Sequence, residues 1–240
     1  MPRGGPDYGA PAYQVAASQV DTGDLITAIR GVNTVDGLGR PVLFETFGEG
    51  VNAWYSQGVG GGAVAQADAS ISEIPPACCY MSIGGTKDSS YSLINRTWRI
   101  SGTRSAGAEA GFIMSSSQGS RVILLGFRVT DAYLIGGINI GYDGKLYYRD
   151  AAGDWVLLDS FVFSGANNAW ISSKVVLDAD LRNYKRIVVG QRSYDLTGLA
   201  CQDLDVSTIE ELSLTIQGIS GAGVSNKIRV GHVIVTLDEP

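Results

Sequence analysis

The sequence predicts an all-β protein: a two-sheet antiparallel β-sandwich, preceded by a short helix and an extended N-terminal arm. Three observations carry this. From about Gly111 to Leu237 the chain is a succession of short alternating segments punctuated by Gly, Asn and Asp, with hardly a stretch of helical period. Glycine, at 32 of 240 residues, has nearly double its usual share, while charged residues make up only 18%. Hydrophobic residues reach 45%, enough for a sizeable core, so the chain is not a disordered polypeptide.

Residues 2–19 read as an arm. Pro2, Pro6 and Pro11 fix extended backbone, Gly4, Gly5 and Gly9 oppose regular structure, and Tyr8 and Tyr13 are its only large apolar side chains. Asp21 to Val32 reads as the one helix. Asp21 or Thr22 supplies the cap, Leu25, Ile26 and Ile29 form one stripe, and Gly31 ends it. Tyr8, Tyr13, Leu25 and Ile29 are the expected assembly contacts, and the division expected is an arm-and-helix segment over 1–37 followed by a sandwich over 38–240.

The sandwich begins at Pro41–Phe47, and Trp54 and Tyr55 follow a Gly48-Glu49-Gly50 turn. In Ser92–Ser101, Ile94, Trp98 and Ile100 share a face, with Arg96 the polar exception. Ile123, Leu125, Phe127 and Val129 line another strand, and Leu212, Leu214 and Ile216 alternate with Ser213, Thr215 and Gln217. Asp143-Gly144 predicts a hairpin with a type I′ turn, and Gly190-Gln191 one with a type II′ turn. The last strand changes phase between Val230 and Val233, which predicts a bulge at Gly231-His232 in preference to a strand buried on both sides.

Composition excludes several functions. A net charge of −6 with pI near 4.8 and no Lys/Arg cluster argue against nucleic-acid binding. No apolar run is long enough for a membrane helix, and the Met1–Pro6 start is not a signal peptide. Cys78, Cys79 and Cys201 do not make a disulfide framework; a strained vicinal bond or a link to Cys201 is the alternative to the reduced thiols expected.

Two sets of residues resemble known families. Phe44-Glu45-Thr46-Phe47-Gly48-Glu49-Gly50 with Trp54 resembles the first strand of jelly-roll carbohydrate-binding modules, and Ala169–Asp178 with Tyr184–Val189 is similar to core strands of laminin-G and concanavalin-like domains. Across nearly its whole length the chain also resembles a group of concanavalin-like proteins encoded by bacteriophages and in metagenomes. Tyr8–Tyr13, Ser18–Leu25, Tyr194–Gly198 and Val233–Pro240 carry that likeness. It implies a virion component of a head or tail surface, made in the host cytoplasm, that contacts other virion proteins and itself as a homo-oligomer. The jelly-roll likeness implies surface glycans as a further partner.

The spacing of paired carboxylates found in concanavalin-like glucanases is absent, and Asp203, Asp205, Glu210 and Glu211 read as a solvated acidic cluster. The same cluster fails as a calcium loop because Thr208 and Leu214 stand where Gly and Glu are required. No cofactor is expected. A structural Ca²⁺ of the jelly-roll kind would draw on Glu45 or Glu49 and Asp238, but Gly231-His232 replaces the Asp-Asp pair those modules commonly carry. His232, the only histidine, reads as a packed residue, and Gly58–Ala63 as a hairpin loop, not a dinucleotide site. Asn95-Arg96-Thr97 is a sequon only in a secretory pathway. The expected role is therefore structural and non-enzymatic, with glycan binding as the alternative. The candidate stacking side chains are Trp54, Tyr55, Tyr80, Tyr148 and Trp155; of Tyr147 and Tyr148, strand alternation lets only one face solvent.

Overall fold

The computed structural model describes residues 38–60, 66–70, 77–84, 90–114, 119–160, 170–204, 209–220 and 226–240. The arm, the expected helix, Gly61–Ala63 and Asp205 lie outside them. Every regular element among the described residues is a strand. In chain order these are β1 (Arg40–Glu45), β2 (Tyr55–Val59), β3 (Gln66–Asp68), β4 (Cys78–Ile83), β5 (Ser90–Arg99), β6 (Ser105–Met114), β7 (Gly119–Val129) and β8 (Ala132–Ile140). There follow β9 (Leu146–Arg149), β10 (Trp155–Asp159), β11 (Ile171–Asp178), β12 (Asn183–Val189), β13 (Arg192–Asp195), β14 (Gln202–Leu204), β15 (Glu211–Ser220) and β16 (Asn226–Leu237).

They form two antiparallel sheets. Sheet A runs β13-β12-β11-β6-β16-β4-β3, with β1 beside the C-terminal half of β16; sheet B runs β10-β9-β8-β7-β15-β5-β2, with β14 beside β8. The period-2 patterns fix which faces meet. Leu212, Leu214 and Ile216 from β15 and Ile123, Leu125 and Phe127 from β7 join Ala106, Ala108, Ala110 and Phe112 of β6 in one continuous core. Arg96, the exception noted in the sequence, does point inward. It is stacked near Trp98, 5.3 Å from the ring, and paired with the buried Glu45 at 3.5 Å.

The phase change in β16 is a bulge. Register against β6 shifts between Val230 and His232, so Ile228, Val230, Val233, Val235 and Leu237 all reach the core. His232 turns to the outer face of sheet A, buried, with Nε2 3.4 Å from Glu109 Oε1. The Gly190-Gln191 hairpin has Gly190 at φ +58° between Val189 and Arg192, as a type II′ turn requires. The Asp143-Gly144 turn differs from expectation. Only Gly144 has positive φ, at +76°, and its N–H donates to Gly141 O while Gly141 N–H donates to Lys145 O. Asp143 instead uses its carboxylate to accept Lys145 N–H at 3.1 Å and Tyr147 O–H at 2.9 Å, which stabilises a longer loop ending in a left-handed glycine.

All three cysteines are free and buried. Burial pushes the Cys78 thiol up to about 11, with the nearby Asp68 charge adding to it, and burial pushes Cys201 up to about 12. Cys79 is raised by the same cause. Native thiols therefore hold protons that the unfolded chain releases from the ordinary value of 9.0. Their contribution to stability is complete below pH 9 and is lost as pH rises towards 11–12. A denaturant midpoint that stays level to about pH 9 and then falls is expected, together with negligible alkylation of the native protein at pH 8. Rapid labelling without unfolding would contradict this.

Candidate functional site on the outer face of sheet B

Alternation sends every second side chain of sheet B away from the core, and the strand register lines these up in rows across the sheet. One row starts at Tyr55 on β2 and passes through Asn95, Thr215, Leu124 and Gly137. Arg149 of β9, paired with Trp155 of β10, lies at its far end. The neighbouring row holds Thr97, Ser213, Gly126, Ile135 and Gln202, and the next Arg99, Glu211, Arg128 and Tyr133. At about 4.8 Å per strand, the seven strands from Tyr55 to Trp155 place them roughly 29 Å apart.

Two glycines shape this face. A Cβ on Gly137 would stand 3.4 Å from Trp155 Cη2 and 2.6 Å from Leu124 Cδ2. One on Gly126 would stand 3.3 Å from the Tyr133 ring and 2.3 Å from Ser213 Oγ. Both rings thus lean over bare backbone where a side chain would lift them off the sheet.

Polar groups hold the surroundings in place. Asn95 Nδ2 donates to Thr215 Oγ1 at 2.7 Å and Leu214 O at 3.2 Å. The Arg128 guanidinium lies 4.2 Å from the Tyr133 ring centre and pairs with Glu211 at 2.5 Å. Arg149 Nε donates to Gln202 Oε1 at 3.2 Å, and its guanidinium sits 6.0 Å from the Trp155 ring. Beneath them, Tyr184 reaches across from β12: its hydroxyl accepts Gly137 N–H at 2.8 Å and donates to Arg149 O at 2.6 Å. Burial raises the Tyr184 phenol well above its ordinary value, so it stays protonated.

Of the five aromatic residues singled out in the sequence, Trp155 and Tyr55 lie on this face, Tyr55 being 63% exposed at its edge. Two others are not presented to a ligand. Trp54 is buried, with its indole N–H directed at Glu45 at 3.4 Å and its ring against Phe47 and Trp98. Tyr148 faces inward and meets Tyr184 edge-on at 5.9 Å; it is Tyr147 that faces out. Tyr80 belongs to sheet A, flanked by Arg229 and Lys227. Tyr8, Tyr13, Leu25 and Ile29 fall outside the described residues.

Sequence reasoning missed Tyr133, Arg128, Arg149 and Gln202. Tyr133 was the legible one, because it alternates with Ala132 and Leu134, both buried.

Among the described residues no three His, Cys, Asp or Glu side chains gather as a metal site. Two of the three carboxylates considered for a cation, Glu45 and Asp238, are engaged by the protein, while Glu49 is exposed. Glu45 accepts Phe47 N–H at 2.8 Å and pairs with Arg96, and Asp238 pairs with Arg40 at 2.9 Å. Of the acidic cluster, Asp203 pairs with Arg182 at 2.7 Å and Glu210 accepts from Thr130 at 2.8 Å.

No protein-family model matches the chain. No curated protein sequence matches it either. Solved structures do. The cellulose-induced protein Cip1 superposes with a TM-score of 0.52 at 10% identity, covering 81% of this chain and 96% of that one. Lectin I-B4 from Griffonia simplicifolia, in its metal-free form, gives 0.50 at 9% identity over 78% and 94%. A protein of unknown function from Shewanella oneidensis gives 0.53 at 11% identity over 91% and 95%. At these identities the likeness is one of fold: the chain is a concanavalin- and legume-lectin-like β-sandwich.

Proposed function

We propose that this protein binds carbohydrate, without turning it over, on the outer face of sheet B. The observation that carries the reading is the pair of rings, Trp155 and Tyr133, leaning over Gly137 and Gly126 on a face that also presents Asn95, Ser213, Thr215 and Gln202. The apolar face of a pyranose stacks on such rings, and its hydroxyls exchange hydrogen bonds with amide and hydroxyl side chains. The lectin-like fold supports the same reading. Binding without hydrolysis is favoured because Glu211 is the one carboxylate among the described strand residues facing this way, and Arg128 holds it. Glycoside hydrolysis uses two carboxyl groups roughly 5–10 Å apart.

Trp155→Ala and Tyr133→Ala are each expected to weaken polysaccharide retention in affinity electrophoresis about three- to tenfold, and the double variant to abolish it. Undiminished retention by the folded double variant would refute the assignment.

A second reading is favoured by the whole-length sequence resemblance: a virion protein that decorates or reinforces a capsid or tail, through homo-oligomeric contacts made by the arm. Both roles fit on one molecule. Deleting residues 1–20 is expected to leave a folded domain that no longer assembles, read by sedimentation; unchanged assembly would count against this role.

A further inference from the structure

We propose that the glycan is an acidic one, recognised through its carboxylate by Arg149. This rests on the carbohydrate-binding reading and deepens it. The chain is acidic overall, at −6, yet the described strand residues on the outer face of sheet B carry Arg99, Arg128 and Arg149 against one carboxylate, that of Glu211. That carboxylate is taken by Arg128. Arg149 is held instead by a neutral partner, the Gln202 amide oxygen at 3.2 Å, and forms no ion pair with a described carboxylate. Its position is fixed from both sides. The backbone carbonyl is gripped by Tyr184 at 2.6 Å, and one guanidinium nitrogen would stand 3.0 Å from a Cβ placed on Gly153, whose φ is +89°.

The chemistry follows from this placement. A guanidinium held at 6.0 Å from the Trp155 ring is within reach of a substituent on a sugar stacked there. A planar fork of N–H donors matches a carboxylate better than a hydroxyl. Gln202 and Trp155 then read the neutral part of the same sugar while Arg149 reads its charge. The class is a polymer of uronic or similarly carboxylated sugars.

The test uses the full chain with alginate, polygalacturonate and hyaluronan, each beside its carboxyl-reduced form, in affinity electrophoresis at low and high salt. The expected result is at least tenfold tighter retention by one or more acidic polymers than by the reduced counterpart, a preference that shrinks with salt. Arg149→Gln, which touches no core contact, is expected to bring the acidic polymer down to the level of its reduced form. Equal retention of acidic and reduced polymers would overturn the carboxylate assignment while leaving the platform standing. An Arg149→Gln variant that kept the full preference would overturn it too. No retention of any polymer would overturn both readings.

Discussion

Replacing Glu239 with alanine is expected to cost about 3–5 kcal/mol of stability in equilibrium denaturation, because it strands buried positive charge. Glu239 is wholly buried one residue from the end of the chain. Its carboxylate takes Lys174 Nζ at 2.8 Å and also binds Arg186 and Thr236. Lys174 is itself only 1% exposed and donates to Leu38 O at 3.0 Å. The backbone around it is tied down as well: Glu239 O accepts from Ser105 Oγ at 2.9 Å and Lys185 Nζ at 2.8 Å, and Asp238 N–H donates to Ser105 O at 3.0 Å. Gly107 leaves the room for this, since a Cβ there would stand 2.7 Å from Glu239 Oε1. Lys174→Met combined with Glu239→Gln is expected to recover part of the loss, because both charges leave together. A loss under about 1 kcal/mol for Glu239→Ala would show that the tail does not clamp sheet A.

Tyr184→Ala is expected to cost a comparable 3–5 kcal/mol, from the cavity and two lost hydrogen bonds. Tyr184→Phe keeps the ring and isolates the hydroxyl, with an expected cost of about 1–3 kcal/mol. The second effect matters more for function. This hydroxyl ties β12 of sheet A to Gly137 and to the carbonyl of Arg149. The phenylalanine variant should therefore weaken glycan retention while remaining folded, although position 184 faces the core and touches no ligand. Retention equal to wild type would show that the platform does not depend on this cross-sheet support.

The layers of the fold were legible because period-2 burial is written locally. β15 reads polar–apolar from Glu211 to Gln217, and the break in β16 is visible as a change of phase around Gly231-His232. Rows across strands are not local. Nothing in the chain says that Trp155 lines up with Gly137 while Trp54, the same residue type beside a similar turn, is drawn inward by Glu45 and Arg96. Asp143-Gly144 misled because the Asp143 side chain, not a positive φ, closes that loop. Nothing local in Asp238-Glu239-Pro240 announces that Glu239 is buried. The burial of Glu239 depends on Lys174 and Arg186, more than fifty residues earlier in sequence.

The four tryptophans offer the most direct test of the binding face. Trp54 and Trp98 sit on the core side of the sandwich, and Trp155 on the outer face of sheet B. In a titration of the full chain with a retained polysaccharide, followed by indole N–H resonances, the Trp155 signal should move progressively while those of Trp54 and Trp98 stay in place. A bound polysaccharide that leaves Trp155 unmoved would contradict the assignment of this face.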